Sequence, residues 1–475
     1  RFGSTASIRM RLEEPYPLEF KAIAPEFDVG LLGLTGPGNR PLTGTLDLNA
    51  AGSGNLRNPS KSDLTFSARN VSMKLGDTNI GTGGPVDVQY RDGMVVMAEE
   101  AAITIEDSSL RVAGTIPILP EAPAGKFLAR GKINIATLSQ LSTFLQKAEV
   151  SGNAEFDIAI AGRADDRNVS GTAAVSSGSL RHPALPSPLT GISIRAELRR
   201  DEIVLQQALA SMDSGRISLT GTLPVGMLVR RIPIPLLQQQ KHGPAQFDLQ
   251  LTDFALASTG RLPRNMDVQI SVRAQGSATS FDLNSVIADV TVEKLSLSLN
   301  RIVVRQREPS SLALRDGIIT IRSLTLVGPQ TELQVSGTSA LVGMAPTDLQ
   351  IRGTTDAGLL AFLIDDAILA GPVQVELAVK GTAAAPELSG SIEVRDGQAS
   401  LRTPADIALD SLNARFDFAG RRITVERFDG ILNGGTVKAS GSMDLIGGSL
   451  TNFNLSANLR DVFLVRMDGP TDHLS

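Results

Sequence analysis

Between Gly371 and Gly381 the chain reads GPVQVELAVKG. In an extended strand Val373, Val375, Leu377 and Val379 fall on one face, while Gln374, Glu376 and Lys380 fall on the other. The same alternation runs through LTGTLDLNAAG (42–52), GNAEFDIAIAG (152–162) and NMDVQISVRAQG (265–276). Each stretch predicts a strand with one apolar and one wet face. Their closing glycines, Gly52, Gly162, Gly276 and Gly381, stand 110, 114 and 105 residues apart. A second passage recurs with them: RDGMVVMAEEAAITIEDSSLRVAGT (91–115), RDEIVLQQALASMDSGRISLTGT (200–222), RDGIITIRSLTLVGPQTELQVSGT (315–338) and AGRRITVERFDGILNGGTVKASGS (419–442). It predicts a polar hairpin turn, clearest at Asp92-Gly93 and Asp316-Gly317, followed by alternating strands that end at Gly114, Gly221, Gly337 and Gly441. Those glycines are 107, 116 and 104 residues apart, so the chain is read first as a repeat.

Short helix-like segments opened by capping residues precede the alternating strands. DVGLLG starts at Asp28, TLSQLSTFLQKA at Thr137 with Gln140 completing a capping box, DFALAS at Asp253 and DAGLLAFLIDDAILAG at Asp356. These caps divide the chain into the end of a preceding copy (1–27), copies A (28–136), B (137–252), C (253–355) and D (356–460), and the start of another copy at Asp461 (461–475). The wider second spacing comes from a Pro- and Gln-rich insertion, LPVGMLVRRIPIPLLQQQKHGP (223–244), expected outside the sheet because Pro lacks a ladder donor. The chain opens on Arg1 and reads as an internal piece of something longer.

Two architectures fit this pattern. A copy of this length with many short strands has the size of a β-sandwich, and four in a row would make an adhesin or spacer. The other is an all-β, elongated, continuous curled sheet of ~105–115-residue repeats with short interspersed helices, its apolar faces lining a common trough. No linker separates the copies, and no Trp or Cys is present to form a sandwich's usual core, which favours the single sheet. With about seven strands per copy, spaced roughly 4.8 Å apart, such a ribbon would be on the order of 130 Å long.

Composition and chemistry narrow the function. Aromatics make up 4% of residues, the net charge is −5 and no Lys/Arg run occurs, so a nucleic-acid partner is not expected. Zero Cys excludes disulfides and thiolate metal sites. No stretch reaches the roughly 18 apolar residues of a membrane span. His182, His242 and His473 lie in loop-like contexts without a second ligand at metal spacing. Glu99-Glu100, Asp165-Asp166 and Asp365-Asp366 read as solvated pairs, because neighbours on a strand point to opposite faces. The glycine-rich GPGNRPLTG at Gly36 reads as a hairpin loop, with no P-loop or nucleophile elbow elsewhere. No cofactor, metal or enzymatic activity is expected. The best enzymatic alternative, a parallel β-helix, would use shorter rungs and a cluster of acids on one face.

Residues 381–445 carry two further motifs. One is G-T-x-x-x-P-x-L-x-G-x-I-x-V-x-D-G at Gly381, Pro386, Leu388, Gly390, Ile392, Val394, Asp396 and Gly397; the other is GG-x-V-x-A-S-G from Gly434 to Gly441. They resemble the AsmA-like repeats of the TamB-like family, the inner-membrane components of the translocation and assembly module of bacteria with two membranes. Copy B departs from the pattern, with RADDRNVSGTAAVSSG in place of the first motif and Glu202 where copy A has Gly93.

The resemblance implies a taco-like β-groove crossing the periplasm, in a protein anchored in the inner membrane. It also implies phospholipid acyl chains as cargo and an Omp85-type (TamA-like) outer-membrane partner reached through other regions of the protein. A link to outer-membrane biogenesis and protein assembly goes with it, and a nascent outer-membrane strand is the alternative client. The groove-lining residues expected on this reading are Leu46 and Leu48; Phe156, Ile158 and Ile160; Val268, Ile270 and Val272; and Val373, Val375, Leu377 and Val379. Val375→Arg or Leu377→Glu is expected to block lipid passage and leave the fold largely intact.

Overall fold

The structure is a computed structural model that describes residues 3–14, 16–36, 39–55, 57–58, 61–137, 148–183, 185, 187–200, 202–229, 243–255, 266–299, 302–341, 346–363, 367–382, 385–401, 407–446 and 449–463. The chain is all-β, with thirty strands among the described residues. Two compact units divide it, Arg1–Phe247 and Asp248–Ser475.

Within each unit successive strands pair antiparallel, as alternating sequences joined by tight turns dictate. Copy D supplies the short strand Ala367–Ala370, which pairs with 398–401 and takes up the end of the expected helical stretch, and then six more in order: Pro372–Thr382, Ala385–Leu401, Ile407–Gly420, Arg422–Leu432, Gly435–Ile446 and Ser449–Arg460. Copy B has the same six, from Glu149–Gly162 to Ala245–Ala255. Among the described residues the copies thus carry six strands in B, seven in C and D and eight in A, in keeping with about seven per copy.

In copies A and C the third strand is broken, into Thr78–Thr82 and Val86–Arg91, and into Ile302–Gln306 and Ser310–Arg315. Pro85 and Pro309 sit at the breaks, where a missing N–H costs no ladder bond. In copy C the Gln306 Nε2 staples the gap by donating to the Val292 carbonyl and to Ser310 Oγ, both at 3.0 Å. The two prolines are 224 residues apart, so a two-copy period overlies the single-copy one.

The periodic glycines mark a corner in every copy. Met97 pairs with Gly114, Leu205 with Gly221, Ile321 with Gly337 and Val425 with Gly441, and directly after each pair the register slips. Extra residues in one strand form a β-bulge, which bends the strand and raises its twist. Gly337 takes φ 119, and a Cβ there would lie 2.0 Å from the Asp348 carbonyl oxygen of the next strand. Gly114 takes φ 112, with the Lys126 carbonyl oxygen at 2.1 Å from such a Cβ. Only glycine lets the two backbones approach this closely.

The expected helices come out shorter. Val29–Leu32 and Ala357–Leu363 are 3-10 segments, opened by Asp28 and Asp356, each of which accepts from the glycine N–H two residues on at 2.8 Å. No helix starts at Asp253. Residues 253–255 extend the strand Ala245–Ala255, and Asp253 takes φ 49 within it. The Thr137 segment is helical up to that residue, and 138–147 lie outside the described residues. The insertion leaves the sheet later than expected: Leu223 and Pro224 end the strand Gly215–Pro224, paired with Ile203 and Glu202, the helix Val225–Val229 follows, and 230–242 again lie outside the described residues. No helix among the described residues is long and apolar enough to cross a membrane. The glycine-rich stretch at Gly36 does form a hairpin, pairing Thr35–Gly36 with Arg40–Pro41.

Candidate apolar binding face

Directly paired residues in an antiparallel ladder point to the same face, so the register extends each strand's apolar stripe into rows across the sheet. In the first unit Leu46 pairs with Phe27, and Leu48 with Ala24 and Ala68. Phe156 lies between Gly131 and Ala173, Ile158 between Ala129 and Gly171, and Ile160 between Phe127 and Val169. In the second unit Val268, Ile270 and Val272 pair with Leu297, Leu295 and Val292. One face of each ladder is thus apolar over many strands.

The opposite face is wet. Arg130 reaches Asp157 at 3.0 Å and Lys132 reaches Glu155 at 3.2 Å, both across directly paired positions. All these side chains are more than half exposed, so each pair adds little to stability. Several carboxylates held below their ordinary range also lie here, among them Glu197 by a hydrogen bond from Arg199, Asp248 from Arg273, Glu393 from Arg395 and Asp429 from Arg427.

Of the acid pairs, Glu100 bonds Arg111 at 3.5 Å, Asp165 meets Arg163 at 3.9 Å, and Asp365-Asp366 lie outside the described residues, as do His242 and His473. Among the described residues no three His, Cys, Asp or Glu side chains gather as metal ligands. A depression of about 500 Å³ in the first unit mixes Phe66 and Val88 with Lys21, Asp87 and Glu99, so it is not an apolar cavity.

Exposure separates the twelve expected lining residues. Leu46, Leu48, Phe156, Ile158, Ile160, Val268, Ile270, Val272, Leu377 and Val379 are all partly exposed. In closed sandwiches these inward positions would be sealed against a second sheet. Val373 and Val375 are different, at 0% and 6% exposed. They belong to a small core with Ile392, Val394, Ala414 and Ala357, and do not line an open face.

The segment Ala357–Leu363 also shows how the apolar face curves within the second unit. Ala357 and Leu360 pack on Val373 and Val375, while Leu359, between them in sequence, packs on Leu299 and Val304, beside Ile302. Pairing leads from Ile302–Gln306 through Ile318–Gly328, Thr331–Ala340 and Thr347–Asp356 to Pro372–Thr382. On a flat sheet those four spacings would separate the first strand from the last by about 19 Å. Adjacent residues of one segment touch both flanks, so the apolar face curls around it. Gly358 is wedged at that point: a Cβ would stand 2.5 Å from Ile302 Cδ1 and 3.1 Å from the Leu369 carbonyl.

Single-strand periodicity missed the neighbours that complete the open rows. Val379 pairs with Leu349 and Leu388, and Leu377 with Ile351 and Gly390, which itself pairs with Phe418. Their signal lies in the register between strands, which alternation along one strand does not carry. No family model, no curated protein and no solved structure matches the chain.

Proposed function

We propose that the chain shields the acyl chains of phospholipids along its apolar face, as a periplasmic segment of a TamB-like protein that carries lipid between the inner and outer membranes. The observation that carries this reading is the set of partly exposed apolar rows on strands whose other face is charged. Each CH₂ moved out of water gains about 0.8 kcal/mol, so a tail resting on these rows is strongly favoured over one in solution.

The rows favour lipid over a nascent protein strand. Ile351, Leu377, Phe418, Leu349, Val379 and Leu388 bring no hydrogen-bonding side-chain group, and the backbone of their strands is already paired in the ladder. A peptide buried there would leave its own N–H and C=O groups without partners, at roughly 1–3 kcal/mol each. A hydrocarbon tail has no such groups. The motif resemblance of 381–445 supports the periplasmic setting and the Omp85-type outer-membrane partner, which other regions of the protein would meet.

A photo-reactive amino acid at Leu377 tests the reading in cells with two membranes. The expected result is a phospholipid adduct, with Leu377→Glu abolishing lipid passage while the chain stays folded. A Leu377 position that captures outer-membrane proteins and no phospholipid overturns it.

A further inference from the structure

The apolar face of copy D is not uniformly open. Its rows run across the strands, and the first two are buried: Val373, Val394 and Ala414 in one, Val375 and Ile392 in the next. Moving along the same strands away from Ala357–Leu363, the next two rows are partly exposed. Leu377 and Ile351 lie in the third, packed against the edge of the buried cluster, and Val379 and Leu388 in the fourth. The change occurs within one strand, Pro372–Thr382, between Val375 and Leu377.

We infer that Ala357–Leu363 is a fixed partition dividing this face into a sealed core and an open strip, and that hydrocarbon reaches only the strip carried by Leu377, Val379 and Leu388. The inference rests on the lipid reading above for the identity of the occupant. The segment is pinned at its start by three bonds. The Asp356 N–H donates to the buried Thr331 Oγ1 at 3.4 Å, Asp356 Oδ1 accepts from the Gly358 N–H at 2.8 Å, and the Ala357 N–H donates to the Gly371 carbonyl at 2.8 Å. Across the gap, Leu359 is held between Leu299 and Val304.

Copy A shows what the flank contributes. Its DVGLL segment makes the same Asp28–Gly30 bond at 2.8 Å and buries Val29, yet Leu31, the counterpart of Leu359, is 78% exposed. The motif alone therefore does not make a partition. The seat for the leucine does.

The absence of cysteine from the chain gives a direct test. Single variants Val373→Cys, Val375→Cys, Leu377→Cys, Val379→Cys and Leu388→Cys change little volume and are each exposed to a long-chain alkyl maleimide, with and without phosphatidylcholine vesicles. The expected result is labelling at 377, 379 and 388 at least about tenfold faster than at 373 and 375, whose reaction requires local opening. Phosphatidylcholine should protect the three fast positions. Adding Leu359→Ala to Val375→Cys should raise labelling at 375 several-fold, by emptying the seat that holds the partition.

Equal rates at all five positions, or no response to Leu359→Ala, overturn the partition and leave the lipid reading standing. Fast labelling at 377, 379 and 388 that vesicles fail to protect overturns the lipid reading and leaves the partition standing.

Discussion

Several single residues hold positions that tolerate no change, for reasons the geometry makes explicit. Gly337 faces the Asp348 carbonyl across a bulge at a positive φ, so Gly337→Ala combines backbone strain with a direct clash. A loss of about 2 kcal/mol or more is expected, read as a lower urea midpoint with an unchanged slope. Val375→Arg is expected to unfold the second unit locally and not merely block a path, because it puts an unpaired charge into a core position at 6% exposure. The cost should exceed about 3 kcal/mol, against a smaller loss for Leu377→Glu at the partly exposed edge of the same cluster, and the two unfolding curves compared side by side check it.

Asp47 gives a pH signature on the wet face. The Glu26 backbone N–H, first, and the Asn70 side chain hold its carboxyl below the ordinary value of 3.8. A depressed folded-state pKa stabilises above the unfolded value and is lost as pH falls through the folded one. Wild type should therefore lose this contribution only below about pH 4, and Asp47→Asn should flatten that part of the stability–pH curve.

At the scale of strands and turns, alternation in the sequence located most elements and their faces. The stripe through Val373 to Val379 is one strand with one apolar side, as the pattern demands. Three features were not legible there. DFALAS carries a cap and a helical-looking stretch, yet its first residues extend a strand, because pairing with a neighbour outweighs local propensity. The third strand of copies A and C breaks at a proline that sits in an otherwise strand-like run. Core and open strip are indistinguishable along Pro372–Thr382, since both are valine and leucine. Only the leucine seat formed by Leu299 and Val304, far away in sequence, separates them.

The bulges also break alternation: Ile319 and Ile321 share a face with Leu324 and Leu326, a phase slip at Arg322–Ser323. Deleting Ser323 would restore unbroken alternation and remove the bend between the flanks that grip Leu359. A cysteine placed at Leu299 should then react faster with a small maleimide than in the undeleted chain, while far-UV circular dichroism stays β-rich.

Across the molecule, stability is distributed among neighbours and not gathered in one centre. Among the described residues the larger of two buried clusters joins five strand residues of copy D with Ala357 of its partition, and each strand leans mainly on the strands beside it. Such ladders behave as quasi-one-dimensional arrays, whose parts open with different free energies. Denaturation followed through a cysteine at Phe156 and one at Val375 should give two distinct midpoints. Coincident transitions would show one cooperative body.

The prolines at 85 and 309 make the chain count in pairs: a copy with a broken third strand is followed by one whose third strand is whole. Shortening or lengthening the protein by one copy would therefore set two interrupted copies, or two uninterrupted ones, side by side. Changing it by two would keep the rhythm, so the natural increment for resizing this scaffold is a duplet of 224 residues.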